Sequence, residues 1–270
     1  MARTGTFADR LAVRGVAQWP ATVRGRRSGR RGRSLLWRVL LVCAWAALSA
    51  AGPALAGQGS PARGVATAFP AAGTLQISAV RVRARPDPHA RVLRLMHQFR
   101  PDFRLQEIFA VGSRIGSNGQ PWYRISVPGR PNGRLGWIPA WAAALRPTVA
   151  KVEVHRRSRT IDLFWHGRHV WHAIVAVGAP GMETPLGLYY ATARFVPHGD
   201  PYLAVFAVET SGYSKLTEWP GGGVFGIHGT TEPWLLGKAV SHGCIRVSAR
   251  TALALRRYVP LGTPIIITNT

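Results

Sequence analysis

The stretch Thr160-Ile161-Asp162-Leu163-Phe164-Trp165-His166-Gly167-Arg168-His169-Val170-Trp171-His172-Ala173-Ile174-Val175-Ala176-Val177 decides the fold class. Ile161, Leu163 and Trp165 share one parity. After the turn-forming His166-Gly167, Trp171, Ala173, Val175 and Val177 share the matching parity. Side chains alternate across a strand, so this pattern predicts an antiparallel hairpin with one apolar face.

Downstream, helical signal is thin. Ser248 is a candidate N-cap, Ala252, Leu255 and Val259 share one helical face, and Pro260 and Gly262 stop the helix before a buried strand at Ile265–Ile267. Upstream, Val152 and Val154 lead into the hairpin, and Arg146-Pro147 marks a domain boundary. Before it, Val80–Ala84, Val92–Met96, Leu105–Val111, Trp122–Val127 and Leu135–Ile138 are short apolar runs separated by Gly, Pro or Asn. Strands this closely spaced predict a small barrel over residues 74–146. Gly57 to Gly73, rich in Gly, Ala, Ser and Pro without a sustained period, reads as a linker.

The 270 residues carry 35 Lys+Arg against 11 Asp+Glu, for a formal net charge of +24. A hydrophobic content of 47% excludes a disordered polycation, which would lack the apolar surface to offset its ordering entropy. The charge is uneven: residues 1–38 hold +9 of it, leaving +15 for the rest. An Arg-rich segment, the uncharged run Val39–Ala56 and the small residues Ala54 and Ala56 form a secretory pattern, with cleavage expected after Ala56. The alternative is a retained membrane anchor. Either way residues 57–270 are expected outside the cytoplasm, in the wall, periplasm or medium. Membrane contact is expected only through the N-terminal segment, and no nucleic-acid partner is expected.

Export changes the cysteine arithmetic. Cys43 lies in the apolar run, so the mature chain keeps Cys244 alone and cannot form an internal disulfide. Cys244 lies in Val240-Ser241-His242-Gly243-Cys244-Ile245-Arg246-Val247, and His228 lies 16 residues upstream. An ordinary thiol is mostly protonated near neutrality, so a nucleophilic one needs a base, a cation or oriented backbone dipoles. If this stretch were a plain strand, His242, Cys244 and Arg246 would share a side and favour thiolate. Gly243 would let a carbonyl approach the neighbouring N–H groups, an oxyanion-hole arrangement. A buried inert cysteine, or a zinc site from His228, His242 and Cys244, stays open on spacing alone.

The wider string His228-Gly229-Thr230 … Leu236-Gly237-Lys238 … Ser241-His242-Gly243-Cys244-Ile245-Arg246 closely resembles the L,D-transpeptidase (YkuD-type) signature. Val177-Gly178 and Thr184-Pro185-Leu186-Gly187 resemble the family's upstream V-G … T-P-x-G segment. The resemblance spans about residues 148–268. Over residues 75–146, Val80-Arg81-Val82-Arg83-Ala84-Arg85-Pro86, Trp122-Tyr123-Arg124-Ile125 and Gly136-Trp137-Ile138 resemble a bacterial SH3-type domain. Trp122 and Trp137 are read as core or half-buried strand residues in preference to ligand-stacking ones.

These resemblances imply a mostly β chain: an SH3-like barrel followed by a β-sandwich-like catalytic domain, residues 147–270, with one short helix. They imply that Cys244 is the nucleophile, His228 its general base and acid, and Ser241, His242, Gly243 and Arg246 supporting or oxyanion-hole residues. Gly229 stands where several relatives carry Ser, so only a backbone carbonyl is left to orient the imidazole. The implied activity is formation of 3→3 peptidoglycan cross-links through a cysteine thioester, with no metal or organic cofactor. The implied partners are stem peptides and, through the SH3-type domain, anionic wall polymers. An L,D-carboxypeptidase, a protein-to-wall attachment enzyme and a non-catalytic wall-binding protein are the alternatives. A papain-like wall hydrolase would place its Cys before its His, the reverse of the order here.

Overall fold

Hydrophobic alternation writes most of this structure. The computed structural model describes residues 66, 68–200, 202–218 and 220–270. The expectations for residues 1–56 lie outside these. The first seven strands are β1 (Ala71–Leu75), β2 (Ala79–Arg83), β3 (Val92–His97), β4 (Glu107–Ile115), β5 (Pro121–Ser126), β6 (Leu135–Pro139) and β7 (Ala143–Pro147). They pair antiparallel in the order β3-β2-β6-β5-β4-β1-β7. Their inward positions, among them Val80, Val82, Ile108, Tyr123, Ile125 and Ile138, form one core. Trp122 is buried and Trp137 half-buried, so both belong to strand packing.

One boundary differs from the sequence reading. β1 begins at Ala71, inside the stretch read as linker. The composition misled for a physical reason: a Cβ on Gly73 would lie 1.9 Å from the Ala144 carbonyl oxygen. The glycine there permits close approach of β1 to β7 and is not a sign of slack chain.

The second part comprises β8 (Ala150–His155), β9 (Thr160–Trp165), β10 (Arg168–Ile174), β11 (Val177–Gly178), β12 (Gly187–Phe195), β13 (Leu203–Tyr213), β14 (Val224–Thr230), β15 (Ala239–Ser241), β16 (Ile245–Val247), α1 (Ala249–Tyr258) and β17 (Pro264–Thr268). Eight of these strands form a nearly closed, barrel-like mixed sheet in the order β10-β9-β8-β17-β12-β13-β14-β16, while β11 and β15 pair separately. The β9–β10 hairpin turns at His166 (φ 49°) and Gly167 (φ 76°). Two successive left-handed residues match the twist of antiparallel strands. The helix starts where its cap predicts, with the Ser248 side chain accepting from the Thr251 N–H, an interaction worth about 1 kcal/mol. Ala252, Leu255 and Val259 pack into the core with Ile227, Ile245 and Ile265.

The two sheets also bury surface against each other. Phe109 of β4 stacks on Tyr190 of β12 at 5.2 Å between ring centroids, and the Tyr190 hydroxyl donates to the Glu107 carbonyl. Arg100 forms an ion pair with Glu209 of β13 at 2.6 Å. In the β5–β6 loop, the Asn132 amide donates to the Tyr213 carbonyl and accepts from its N–H, as a neighbouring strand would. Arg130 donates to the carbonyls of Ser214, Leu216 and Gly222.

Glu107 sits in this contact zone with its carboxyl buried, which pushes its pKa up to about 7. Between the ordinary carboxylate value and about pH 7, the folded chain therefore holds a proton that the unfolded chain has released. Stability should fall as pH rises through that window and level off above it. Glu107→Gln should raise the melting temperature more at pH 8 than at pH 5. The difference corresponds to at most about 3 kcal/mol. Thermal melts at the two pH values check this.

Candidate active site

Two short strands meet because their apolar sides must be buried. Ile227 of β14 lies opposite Ile245 of β16, and Gly229 opposite Val247, in parallel register. Ile227, Ile245 and Val247 face the core. Strand alternation then puts the residues between them, His228 and Arg246, side by side on the other face. Cys244, two residues before Arg246, lies at the entry to β16.

The chain around Cys244 is not a continuous strand, contrary to the simple geometry considered from sequence. β15 ends at Ser241, Gly243 adopts φ +117°, and β16 starts at Ile245. The Ser241 hydroxyl holds this loop from within, accepting from the Gly243 N–H at 3.2 Å and donating to the Cys244 carbonyl. The Gly243 N–H is thereby engaged within the loop. Gly243 suits a left-handed backbone, and a Cβ there would lie 2.8 Å from the Ser214 Cβ.

One neighbouring segment clamps both arms of the loop. β11 pairs in parallel with β15, and the Ala179 N–H donates to the Ser241 carbonyl at 2.8 Å. On the other arm, Ala176 and Arg246 exchange both backbone hydrogen bonds at 2.9 Å. The turn after β11 is tied down by fully buried Thr184, whose hydroxyl accepts from the Gly178 N–H at 2.9 Å. The V-G … T-P-x-G segment thus serves the cysteine loop mechanically.

A cavity of about 1040 Å³ opens over these residues. His228, Ser241, His242, Cys244 and Arg246 line it together with Gly226 and Ser214. Arg94, Arg100, Gln106 and Pro128 of the N-terminal sheet form another part of its wall. His242 is exposed, Cys244 and Arg246 are half-buried, and His228 is only 7% exposed. Gly229 and Gly243 are not lining residues; they act through backbone and space. The three potential zinc ligands considered from sequence, His228, His242 and Cys244, do not converge into a three-donor group among the described residues.

The imidazole is oriented by backbone. His228 Nδ1 lies 2.8 Å from the carbonyl oxygen of Gly229, which leaves Nε2 as the nitrogen available for proton exchange. A side chain at 229 would not fit, because its Cβ would lie 2.1 Å from the Ala204 carbonyl oxygen.

The electrostatics correct a second expectation. Two basic neighbours were expected to favour thiolate, yet burial dominates and raises the Cys244 pKa, against the opposing influences of the Gly226 backbone and the Arg246 charge. Burial also lowers the His228 pKa, helped by Arg246 and opposed by its bond to Gly229. Burial thus disfavours charge on both the thiol and the imidazole. Arg246 is itself partly neutralised, with its guanidinium 2.9 Å from the Glu232 carboxylate. Sequence reasoning missed Glu232 and Ser214, which no local spacing connects to the cysteine, and placed Thr184 in the upstream motif without assigning it a role.

Residues 150–267 match the family model for the YkuD L,D-transpeptidase catalytic domain. YqjB of Bacillus subtilis, assigned as an L,D-transpeptidase, is 42% identical over 142 residues, covering 48% of this chain and 79% of that protein. The chain belongs to the YkuD-type L,D-transpeptidase family. The YkuD proteins of Bacillus licheniformis and Bacillus subtilis are 34% and 32% identical over 118 and 110 residues, covering 44% and 41% of this chain. The matched part spans 65% and 60% of those two proteins. An L,D-transpeptidase from Mycobacterium smegmatis aligns with 55% of this chain and 90% of its own, at 20% identity and a TM-score of 0.39, too low to carry weight by itself.

Two outcomes test this description of the L,D-transpeptidase domain. Alkylation of Cys244 by iodoacetamide should be slower near neutrality than that of an ordinary thiol, and should rise with pH beyond about 8.5. Gly229→Ser should destabilise the fold by about 1–3 kcal/mol, read as a lowered denaturant midpoint.

Proposed function

We propose that this chain is a peptidoglycan L,D-transpeptidase that forms 3→3 cross-links through a thioester on Cys244. The observation that carries the reading is that adjacent parallel strands bring His228 and Cys244 to one cavity, with His228 oriented through Nδ1. His228 Nε2 takes the Sγ proton as Sγ attacks the carbonyl of the third-position diamino acid in a stem tetrapeptide. The developing oxyanion is held by the backbone N–H of Cys244. The C–N bond to the terminal D-Ala breaks, and Nε2 returns the proton to the departing amine. A side-chain amine of a second stem, deprotonated by Nε2, then attacks the thioester carbonyl and releases Sγ.

Desolvation that disfavours charge on both groups suits this sequence. The imidazole is unprotonated and able to accept at the first step, and the thiolate forms only as substrate arrives. Arg246 stabilises charge on the thiolate, while its pairing with Glu232 limits the penalty on protonating His228. We take the seven-stranded N-terminal sheet to be a bacterial SH3-type domain, supported by the Trp122-Tyr123 and Gly136-Trp137 strands. Its arginines at the cavity wall suit carboxylate-bearing stem peptides and anionic wall polymers. Residues 1–56 are proposed to direct export, with residues 57–270 acting at the wall.

Incubating the purified chain with tetrapeptide muropeptides and weighing the products tests the reaction. Cross-linked dimers are expected, with loss of D-Ala. Tripeptide alone would mean that water resolves the thioester, and no product would mean a binding protein. Cys244→Ala should abolish both products, and His228→Ala should slow acylation by a carbapenem about 100-fold or more, followed by mass spectrometry.

A further inference from the structure

Away from the Cys244 cavity, the solvent face of the β8–β10 hairpin array collects three histidines around one carboxylate. Asp162 Oδ1 lies 2.6 Å from His169 Nε2 and 2.8 Å from His172 Nδ1, and Asp162 Oδ2 lies 3.3 Å from His155 Nε2. None of the four lines the cavity over Cys244. Strict strand alternation would put His169 on the side of Trp171 and away from His172. The register between β9 and β10 shifts between His169 and Trp171, so that Val170 and Trp171 both pack on the core. That bulge returns His169 to the solvent face with His172 and Asp162.

The surroundings orient the donors. His155 Nδ1 lies 2.7 Å from the Thr270 hydroxyl, and the Thr268 hydroxyl stands 3.3 Å away, so Nε2 is the nitrogen turned toward Asp162. The His169 ring rests against Phe164 at 5.2 Å between centroids. The donor atoms of Asp162, His169 and His172 all lie within 4.8 Å of one another. A tetrahedral ion with bonds of about 2.0–2.1 Å separates its ligands by about 3.3 Å, within reach of small rotations of the exposed imidazoles.

We propose that Asp162, His169 and His172, with His155 as a fourth donor, bind one divalent transition-metal ion of the zinc class. Imidazole nitrogen with a single carboxylate suits such an ion better than calcium or magnesium, which prefer all-oxygen shells. The ion ties β8, β9 and the edge strand β10 together, and it plays no part in thioester chemistry. It caps the open end of the mixed sheet, where β10 has no further strand partner among the described residues.

The test uses the untagged full chain, stripped with chelator and titrated with Zn²⁺ alone by calorimetry, with bound zinc counted by elemental analysis. One equivalent is expected in the wild type and in Cys244→Ala, together with a rise of several degrees in melting temperature. The double variant His169→Gln/His172→Gln should lose that equivalent and that rise while melting normally without zinc. Co²⁺ substitution should give visible d–d bands without a thiolate charge-transfer band. Zinc retained by the double variant, zinc lost in Cys244→Ala, or no zinc bound by the wild type would each overturn the proposal.

Discussion

Everything at the candidate site depends on the parallel pairing of β14 with β16. Its apolar side, Ile227 against Ile245 and Gly229 against Val247, is part of the main core, so burial sets the register. A slip of one residue would turn His228 into the core and Ile227 into the cavity. With the register fixed, the polar residues need no special device to meet; period-two geometry delivers them to one face. The Ala176–Ala179 segment then prevents the loop between β15 and β16 from relaxing, since it hydrogen-bonds to both arms.

Burial has a second consequence. The same packing that positions Cys244 and His228 removes water from them, and desolvation opposes charge on both. In the proposed reaction, charge on either group would therefore need stabilising by Arg246 and the loop as it develops. Backbone supplies much of the orientation, with the Gly229 carbonyl on the imidazole and the Ser241 hydroxyl across the loop. This economy requires small residues at 229 and 243, where any Cβ would meet neighbouring atoms at 2.1 and 2.8 Å.

The N-terminal sheet is more than an appended module. Its β5–β6 loop grips the Tyr213–Gly223 region through Arg130 and Asn132, and Ser214 in that region backs Gly243. Arg94, Arg100 and Gln106 complete the cavity wall. The cavity over Cys244 is therefore walled by side chains from both sheets, joined by the Phe109–Tyr190 stack and the Arg100–Glu209 pair.

By itself the sequence determined the mostly β class, the β9–β10 hairpin, the Ser248-capped helix and the candidate pair Cys244 and His228. Each rests on local alternation, a local cap or a short motif, which the chain carries within a few residues. It misjudged Gly73 because a glycine needed for strand contact and a glycine in a linker look the same without the partner strand. Only the tertiary structure decided the desolvation of Cys244 and His228, the Glu232 partner of Arg246, the clamp on the loop and the convergence of His155, Asp162, His169 and His172. Those depend on solvent exclusion and on contacts between residues distant along the chain, or on a bulge that overrides alternation. Both are set by how the sheets close and not by any local pattern.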